Sequence, residues 1–209
     1  MNKLLKDLIN IGKVGSFIND IMVEMESEKE HDKLVEEILR RLEENDLYMK
    51  LEKYKWKVWE VDFLGVVIGP EGIKMEKEKV KTVLNWSVSK LVKEVQKFLG
   101  LANYYRRFAK RFTKIVRLLH ELTKKKQKWK WSIRQEKMFE ILKKRFTMGP
   151  ILVASDLDKK MRIEVDSLDY AMGGVLLMEC SDGQWRLVAY LSKSLNEIEK
   201  NYEIRRCWL

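Results

Sequence analysis

The sequence predicts an α+β fold in which β-hairpins come first, helices fill the middle and a second group of strands follows. Two short apolar runs flank residues 69–72 (GPEG), a tight-turn signature that predicts a β-hairpin. From residue 76 to residue 146, apolar side chains recur at helical spacing. Between residues 161 and 166, apolar and charged side chains alternate, which is typical of a strand.

The N-terminal elements are predicted to be a helix, a hairpin and a second helix. Apolar residues within 4–9 share one helical face, and Gly12 and Gly15 bracket a turn that leads into apolar residues within 17–23, which predicts a hairpin. Ser27 and Glu30 have the spacing of a capping box, which begins an apolar helical stripe that continues to about Asn45. A helix is therefore expected from Ser27 to Asn45.

The middle of the chain combines one strand-like stretch with several helices. Residues 47–57 resemble a strand in composition. Ser89 and Ser132 stand where helices need an N-cap, and Gln135 completes a capping box with Ser132. We therefore expect helices to begin just after both serines.

The C-terminal part is predicted to contain further strands around residues 175–178 and 187–191. The changes of pattern divide the chain into three predicted domains. They are 1–74 with hairpins, 75–149 with helices, and 150–209 with strands.

Composition limits the class of protein. The 209 residues are 45% hydrophobic, enough for one core or two small ones. The net charge of +10 favours an anionic partner, with nucleic acid first, although membrane-surface and simply soluble proteins are also basic. Cys180 and Cys207 lack metal-ligand spacing and fit a reduced compartment. We expect no signal peptide, no membrane partner, and an intracellular location, cytoplasmic or nuclear.

Four sequence strings occur in an order that resembles a known family. The strings are FINDIMVE at 17–24, FLGVVIGPEGIKMEKEKVKTVLNW at 63–86, VQKFLGLANYYRRF at 95–108, and IEVDSLDYAMGGVL at 163–176. They resemble the polymerase signature hairpin, the primer-contacting hairpin, the thumb and the first RNase H strand of Ty3/gypsy-type LTR-retrotransposon reverse transcriptases. The resemblance implies partial palm hairpins, a helical thumb and connection, and a truncated RNase H-like mixed sheet, as in a degenerate fragment of a Pol polyprotein.

The polymerase chemistry of this family depends on carboxylates that hold two Mg²⁺ ions about 3.5–4 Å apart. The family turn carries Tyr-X-Asp-Asp, whereas residues 17–20 are FIND, so that Asn19 replaces an Asp and Asp20 remains. The resemblance implies that the third Asp would precede Met1. We therefore expect Asp20 to be a catalytic and metal-binding remnant without polymerase activity. An ordinary hairpin turn is the alternative, because Asn and Asp tolerate turn geometry.

The GPEG hairpin resembles the primer grip of the family. The resemblance implies that Gly65, Gly69 and Gly72 let the backbone approach a nucleic-acid phosphate. A tight hairpin with a polar tip is the simpler explanation of the same glycines, and both can hold. These three glycines are candidate nucleic-acid-binding residues.

The thumb-like helix and a basic run supply further candidates for contact with nucleic acid. Arg106 and Arg107 could meet a duplex backbone, whereas Tyr105 lies on the apolar stripe and is expected in the core. The lysines of the run 124–130 could follow a phosphate backbone, with Trp129 and Trp131 stacking on bases. A solvated loop with inward-packed tryptophans is the alternative. The lysines of this run are Lys124, Lys125, Lys126, Lys128 and Lys130.

RNase H chemistry uses four carboxylates around two metals. The resemblance assigns Asp166 as the first of them, catalytic and metal-binding, within the altered motif 166–169 (DSLD). The second position falls on Trp208, in an ending (RRCWL) that departs from the family as a frameshift or splice join would. Mg²⁺ is the family cofactor, but we expect no tight metal binding here. A solvated strand-end acid is the alternative for Asp166.

Two consequences follow for function. The chain by itself is expected to be catalytically inactive and at most to bind RNA–DNA hybrid or duplex nucleic acid. The alternative is a non-catalytic subunit or protein-interaction module that associates with an intact polymerase. A truncated RNase H sheet would expose an edge and an apolar face near Val175 and Leu187, through which such association could occur.

Overall fold

The computed structural model describes residues 1–25, 27–88, 91–125, 128–168 and 170–201. Helices and antiparallel strands occupy separate stretches of these residues, which confirms the predicted α+β class. The helices are α1 (Lys6–Asn10), α2 (Glu28–Glu44), α3 (Lys77–Leu84), α4 (Val92–Tyr104), α5 (Phe112–Glu121), α6 (Ile133–Thr147) and α7 (Glu197–Lys200). The strands are β1 (Val14–Phe17), β2 (Asp20–Val23), β3 (Val61–Phe63), β4 (Val66–Gly69), β5 (Gly72–Met75), β6 (Met161–Leu168), β7 (Ala171–Glu179) and β8 (Trp185–Ser194).

The chain forms two compact units, Met1–Phe63 and Leu64–Leu209. In the first, α1, α2 and the antiparallel β1–β2 hairpin surround a small apolar core. Arg41 of α2 binds both carboxylate oxygens of Asp7 of α1, at 2.6 and 2.8 Å. The core side chains are Leu5, Leu8, Val14, Ile38 and Leu42.

Two local predictions in the first unit are wrong. Residues 47–57 contain a short 3-10 turn, Leu51–Lys53, and no strand. Tyr48 is 94% exposed, and no strand of the described residues pairs with this segment. A segment of strand-like composition does not form a strand without a neighbouring strand to pair with. Helix α2 begins after Ser27 and ends before Asn45 as predicted, but the Ser27 side chain makes no cap bond. The acidic first turn of α2 instead complements the positive helix terminus.

The second unit has a larger core built from the predicted helical section. Helices α3 to α6 follow its apolar stripes, and their buried residues include Val83, Phe98, Leu119 and Phe139. The predicted capping box at α6 is confirmed, because the Ser132 hydroxyl accepts from a backbone N–H while the Gln135 side chain accepts from the Ser132 N–H. Helix α4 begins at Val92, and Ser89 lies outside the described residues.

The predicted GPEG hairpin is confirmed as the antiparallel pair β4–β5, in which Gly69 faces Gly72. A single bridge joins this hairpin to the segment after α6. The Ile73 N–H donates to the Leu152 carbonyl at 2.6 Å, and the Leu152 N–H donates back to Ile73 at 2.9 Å. Leu152 is fully buried in the core of the second unit. The hairpin is therefore anchored by a residue about eighty positions later in the sequence.

Strands β6, β7 and β8 form an antiparallel sheet in that order, which confirms the predicted strands. Over the described residues, no parallel pair of the predicted mixed sheet is present. Val153 donates its N–H to Leu187 at 2.8 Å, and Leu187 packs against the core.

The prediction of an exposed apolar face near Leu187 is therefore wrong in its location. The two most exposed large apolar side chains of the sheet are instead Ile163, at 60%, and Leu191, at 51%, whereas Trp185 and Leu168 are 37% and 36% exposed. Ile163 and Leu191 pair with Leu176 and Gly174 respectively, so they share the face opposite Val175.

The division into two compact units after Phe63 does not test the three predicted domains. Their boundaries at residues 74 and 149 stay predictions. No helix among the described residues is long and apolar enough to cross a bilayer.

Candidate nucleic-acid interface and metal positions

The polymerase-like turn lies at the tip of the β1–β2 hairpin, where Phe17 pairs with Asp20. Residues 17–20 are all exposed, and Ile18 is 71% exposed with a φ of 53°. A β-branched residue pays a steric cost in this left-handed region, because its Cβ crowds the following carbonyl. Strained turns persist mainly where surrounding structure or function holds them.

The strain at Ile18 predicts a stabilising substitution. Ile18→Asn should raise the free energy of unfolding by about 1 kcal/mol, because Asn tolerates the left-handed conformation and Ile18 buries little apolar surface. Urea unfolding measures the change. Ile18→Val is the matched control, since it keeps the branched Cβ and should stay within about 0.5 kcal/mol of the parent. Equal stabilities of the Asn and Val variants would contradict this account of the turn.

The residues around Asp20 and Asp166 do not make a complete metal site. Within the described ranges, no group of three or more His, Cys, Asp or Glu side chains is placed to hold a metal ion. A two-metal centre needs several carboxylates that converge. Asp169 lies outside the described residues. The donor set present therefore does not fit the paired Mg²⁺ ions of the family.

Gly65 contacts two tyrosines at the C-terminal end of helix α4, its last residue Tyr104 and the following Tyr105. The Tyr105 hydroxyl donates to the Gly65 carbonyl at 2.7 Å, and the Tyr104 hydroxyl donates to the Leu64 carbonyl. Gly65 has a φ of +73°, and a Cβ on it would lie 3.0 Å from the Tyr105 hydroxyl oxygen. Protein contacts thus account for this glycine, and its role in nucleic-acid binding stays a prediction.

Gly72 is also explained by packing within the protein. Its φ is +120°, and a Cβ on it would lie 2.3 Å from the Leu152 carbonyl oxygen. Gly69, its partner in the hairpin, is half-buried. The chain itself makes a close approach at Gly72, and the role of this glycine in nucleic-acid binding stays a prediction.

Tyr105 is 2% exposed, which confirms its predicted place in the core. The two arginines that follow it differ from each other. Arg106 is exposed, whereas Arg107 is half-buried, and its guanidinium lies 5.6 Å from the centre of the Phe108 ring. Burial lowers the pKa of Arg107. Arg106 is therefore the more accessible cation of the two for a phosphate.

Helix α4 exposes a row of residues that sequence reasoning missed. We call Lys93, Lys97, Gly100 and Tyr104 the α4 stripe; all four are exposed, and their spacing of three or four places them on one helical face. A Cβ added to Gly100 would meet no atom within 4 Å. The available signal was a glycine inside a helical pattern without a turn to require it.

The basic run 124–130 splits into cationic and aromatic parts. Lys124, Lys125, Lys128 and Lys130 are exposed, while Lys126 lies outside the described residues. Trp129 and Trp131 stack on each other with ring centres 6.0 Å apart and pack against the core of the second unit. This geometry favours the alternative of inward-packed tryptophans, which leaves the exposed lysines as the groups available to a phosphate backbone.

Asp166 lies near the end of β6, opposite Gly173, with its side chain 58% exposed. Its Oδ2 accepts from Nη2 of Arg111 at 3.0 Å. The carboxylate matched to the first RNase H position therefore has a guanidinium beside it.

Comparison with known proteins assigns both ends of the chain. The family model for reverse transcriptase (RNA-dependent DNA polymerase) matches residues 1–68. The model for the RNase H-like domain found in reverse transcriptase matches residues 131–207. The Tf2-3 and Tf2-7 transposon polyproteins of Schizosaccharomyces pombe (strain 972 / ATCC 24843) are each 31% identical over 191 residues, which is 91% of this chain. The chain spans 14% of the length of either polyprotein.

Solved structures agree with this assignment at the level of the fold. A foamy viral protease-reverse transcriptase in complex with an RNA/DNA hybrid matches 97% of this chain and 27% of its own, with a TM-score of 0.81 and 24% identity. A complex of that enzyme with dsDNA matches 98% of this chain and 43% of its own, with a TM-score of 0.81 and 23% identity. Because both family models and the aligned polyproteins agree, this chain belongs to the reverse-transcriptase family of retrotransposon polyproteins, with RNase H-like sequence in its C-terminal part.

Proposed function

We propose that residues 1–209 bind RNA–DNA hybrid or duplex nucleic acid through the α4 stripe and do not by themselves catalyse polymerisation or hybrid cleavage. The observation that carries the binding proposal is Gly100. A glycine in a helix interior costs about 1 kcal/mol relative to alanine. No packing contact requires it, because the space around its missing Cβ is open. Close approach of a ligand backbone explains why a side chain would be unfavourable there.

The groups around Gly100 suit a duplex backbone. Lys93 and Lys97 lie on the same helical face and can contact phosphates, and Tyr104 offers a ring that is 57% exposed. The net charge of +10 adds long-range attraction for a polyanion. The matching foamy viral structures are complexes with RNA/DNA hybrid or dsDNA, which supports the same ligand class for this chain.

The proposal that residues 1–209 are catalytically inactive by themselves rests on the carboxylates that are available to bind Mg²⁺. At the polymerase-like turn, Asn19 stands where the family has a carboxylate, beside Asp20. Asp166 has Arg111 as its neighbour. A carboxylate with so few partner ligands binds Mg²⁺ weakly, and the transition-state charge of either reaction would lack the second metal. The four sequence motifs also favour the Ty3/gypsy branch of the family.

Hybrid binding across a salt series tests the proposal. We expect micromolar affinity for RNA–DNA hybrid, which falls as salt rises because phosphate contacts release counterions. Replacing both lysines of the stripe (Lys93→Gln with Lys97→Gln) should weaken binding and reduce the slope of log K against log salt by about 2, roughly 1 for each phosphate contact. Gly100→Leu should weaken binding about tenfold or more by blocking close approach. Fluorescence anisotropy measures the hybrid affinity of the parent, of the double lysine variant and of Gly100→Leu.

The matched control removes two lysines of the same spacing from another helix. Lys29 and Lys33 are exposed on α2, so Lys29→Gln with Lys33→Gln removes the same charge and should leave the salt slope nearly unchanged. Equal effects of the two lysine pairs would refute the α4 stripe as the binding surface. Primer extension and hybrid cleavage in Mg²⁺ or Mn²⁺ test the rest. Turnover that Asp20→Ala or Asp166→Ala abolishes would refute the proposal of inactivity.

A second candidate function is association with an intact polymerase through the exposed face of the C-terminal sheet. The exposed side chains of Ile163 and Leu191 favour it, because they lie on one face of the sheet and exposed apolar surface of this kind often marks an interaction site. Copurification with a full-length polymerase that Leu191→Lys abolishes would support it, and salt-dependent hybrid binding without such a complex would support the first proposal.

A further inference from the structure

Arg111 forms an ion pair with Asp166, the carboxylate matched to the first RNase H position. It precedes helix α5 and has a φ of 57°, in the left-handed region. A residue other than Gly, Asn or Asp seldom takes this conformation, and it persists only when neighbouring contacts hold it. Two kinds of contact hold Arg111: its carbonyl accepts from the Lys114 N–H at 3.1 Å at the start of α5, and its Nη2 lies 3.0 Å from Oδ2 of Asp166. The turn before α5 therefore directs a guanidinium at the end of β6.

Two further contacts join the same helix to β8 and to Tyr170, which directly precedes β7. The Thr113 N–H, in the first turn of α5, donates to the Ser192 hydroxyl of β8 at 3.0 Å. The Arg117 guanidinium lies 4.4 Å from the centre of the Tyr170 ring, a cation–π distance. The ion pair is thus one member of a row of polar contacts along α5, rather than an isolated surface pair.

We propose that Arg111 is the fixed counter-cation of Asp166 and that the pair joins α5 to β6 in place of metal binding at this carboxylate. A divalent ion at Asp166 would have to displace a guanidinium of like charge or tolerate it nearby. The described residues supply no group of three metal-ligand side chains that could compensate for this repulsion. Asp166 therefore acts as the anion of a structural contact, whether or not the chain binds nucleic acid.

Competition with Mn²⁺ tests the proposal without any activity assay. Mn²⁺ broadens NMR signals near its binding site, so the amide signals around Asp166 and its cross-strand partner Gly173 report occupancy. Replacing the guanidinium (Arg111→Gln) should raise the apparent Mn²⁺ affinity at Asp166 about two- to fivefold, the range expected for an exposed ion pair. Adding Asp166→Asn should abolish the broadening.

Arg162→Gln is the matched control. It removes one positive charge from the same strand, where Arg162 pairs with Glu164 at 3.1 Å, and should leave the affinity at Asp166 unchanged. If the parent and Arg111→Gln bind Mn²⁺ equally, or if Arg162→Gln raises the affinity as much, the proposal is overturned.

A double-mutant cycle on thermal unfolding tests the structural half of the proposal. The coupling between Arg111→Gln and Asp166→Asn should change the unfolding constant by about two- to fivefold at low salt and shrink in high salt. Absence of coupling at low salt would show that the pair does not join α5 to β6.

Discussion

Gly72→Ala is expected to lower the free energy of unfolding by about 2–4 kcal/mol. The φ of +120° strains any residue with a side chain, and the added Cβ would lie 2.3 Å from the Leu152 carbonyl oxygen. Because Ile73 and Leu152 exchange two backbone hydrogen bonds, the neighbouring backbone cannot move away without losing them. Urea or thermal unfolding of the purified chain measures the loss.

Gly183→Ala is the matched control, because it introduces backbone strain without a steric clash of the added Cβ. Gly183 lies in the same compact unit with a φ of +75°, but a Cβ there meets no atom within 4 Å. It should cost only about 1 kcal/mol. Equal losses for the two variants would mean that the contact with Leu152 does not constrain Gly72. A retained fold with reduced hybrid affinity for Gly72→Ala would instead favour a direct role in nucleic-acid binding.

Tyr105→Ala is expected to cost about 3–5 kcal/mol, like the loss of other buried aromatic side chains. The ring packs against Tyr104, Phe108 and Phe146, with centres 4.9, 6.2 and 6.5 Å away. Tyr105→Phe is the matched variant, because it keeps the ring and removes only the hydrogen bond to Gly65. It should cost about 1–3 kcal/mol, since it leaves a part-buried carbonyl unpaired. Equal costs for the two variants would contradict the proposed division between packing and hydrogen bonding.

The ionisation of Tyr105 gives an independent measurement of the same site. Burial raises the pKa of Tyr105 to about 12, with smaller contributions from the charges of Tyr104 and Glu76. In the unfolded chain the phenol ionises near pH ~10, so the unfolded state releases its proton first. Stability should therefore be fully present below pH ~10 and decline as pH rises toward ~12. Tyrosinate absorbance should show a late-titrating component that Tyr105→Phe removes.

Local chemistry explains which elements were predictable. The β4–β5 hairpin follows from turn residues adjacent in sequence, and the capping box at Ser132 follows from two side chains three positions apart. Residues 47–57 show the limit of such reasoning, because strand composition forms no strand without a partner edge. The Ser27 cap shows it again, since the pattern is present and the side-chain bond is not.

For the candidate sites as well, local sequence predicted some features and contacts between distant segments decided others. The motif letters around Asp20 and Asp166 assign the family, because each motif is contiguous in sequence. Contacts across long separations decide what the residues touch, such as Asp166 with Arg111 and Gly72 with Leu152. The inward packing of Trp129 also depended on which helices surround it.

By itself, the sequence determined the fold class, the helical section, the hairpins and the family, since these depend on periodicity, turn chemistry and contiguous motifs. Only the tertiary structure decided which glycines serve packing, that Gly100 faces open space, and that a guanidinium accompanies Asp166. The physical reason is that a side chain's neighbours are set by packing between segments distant in sequence, which local patterns do not encode.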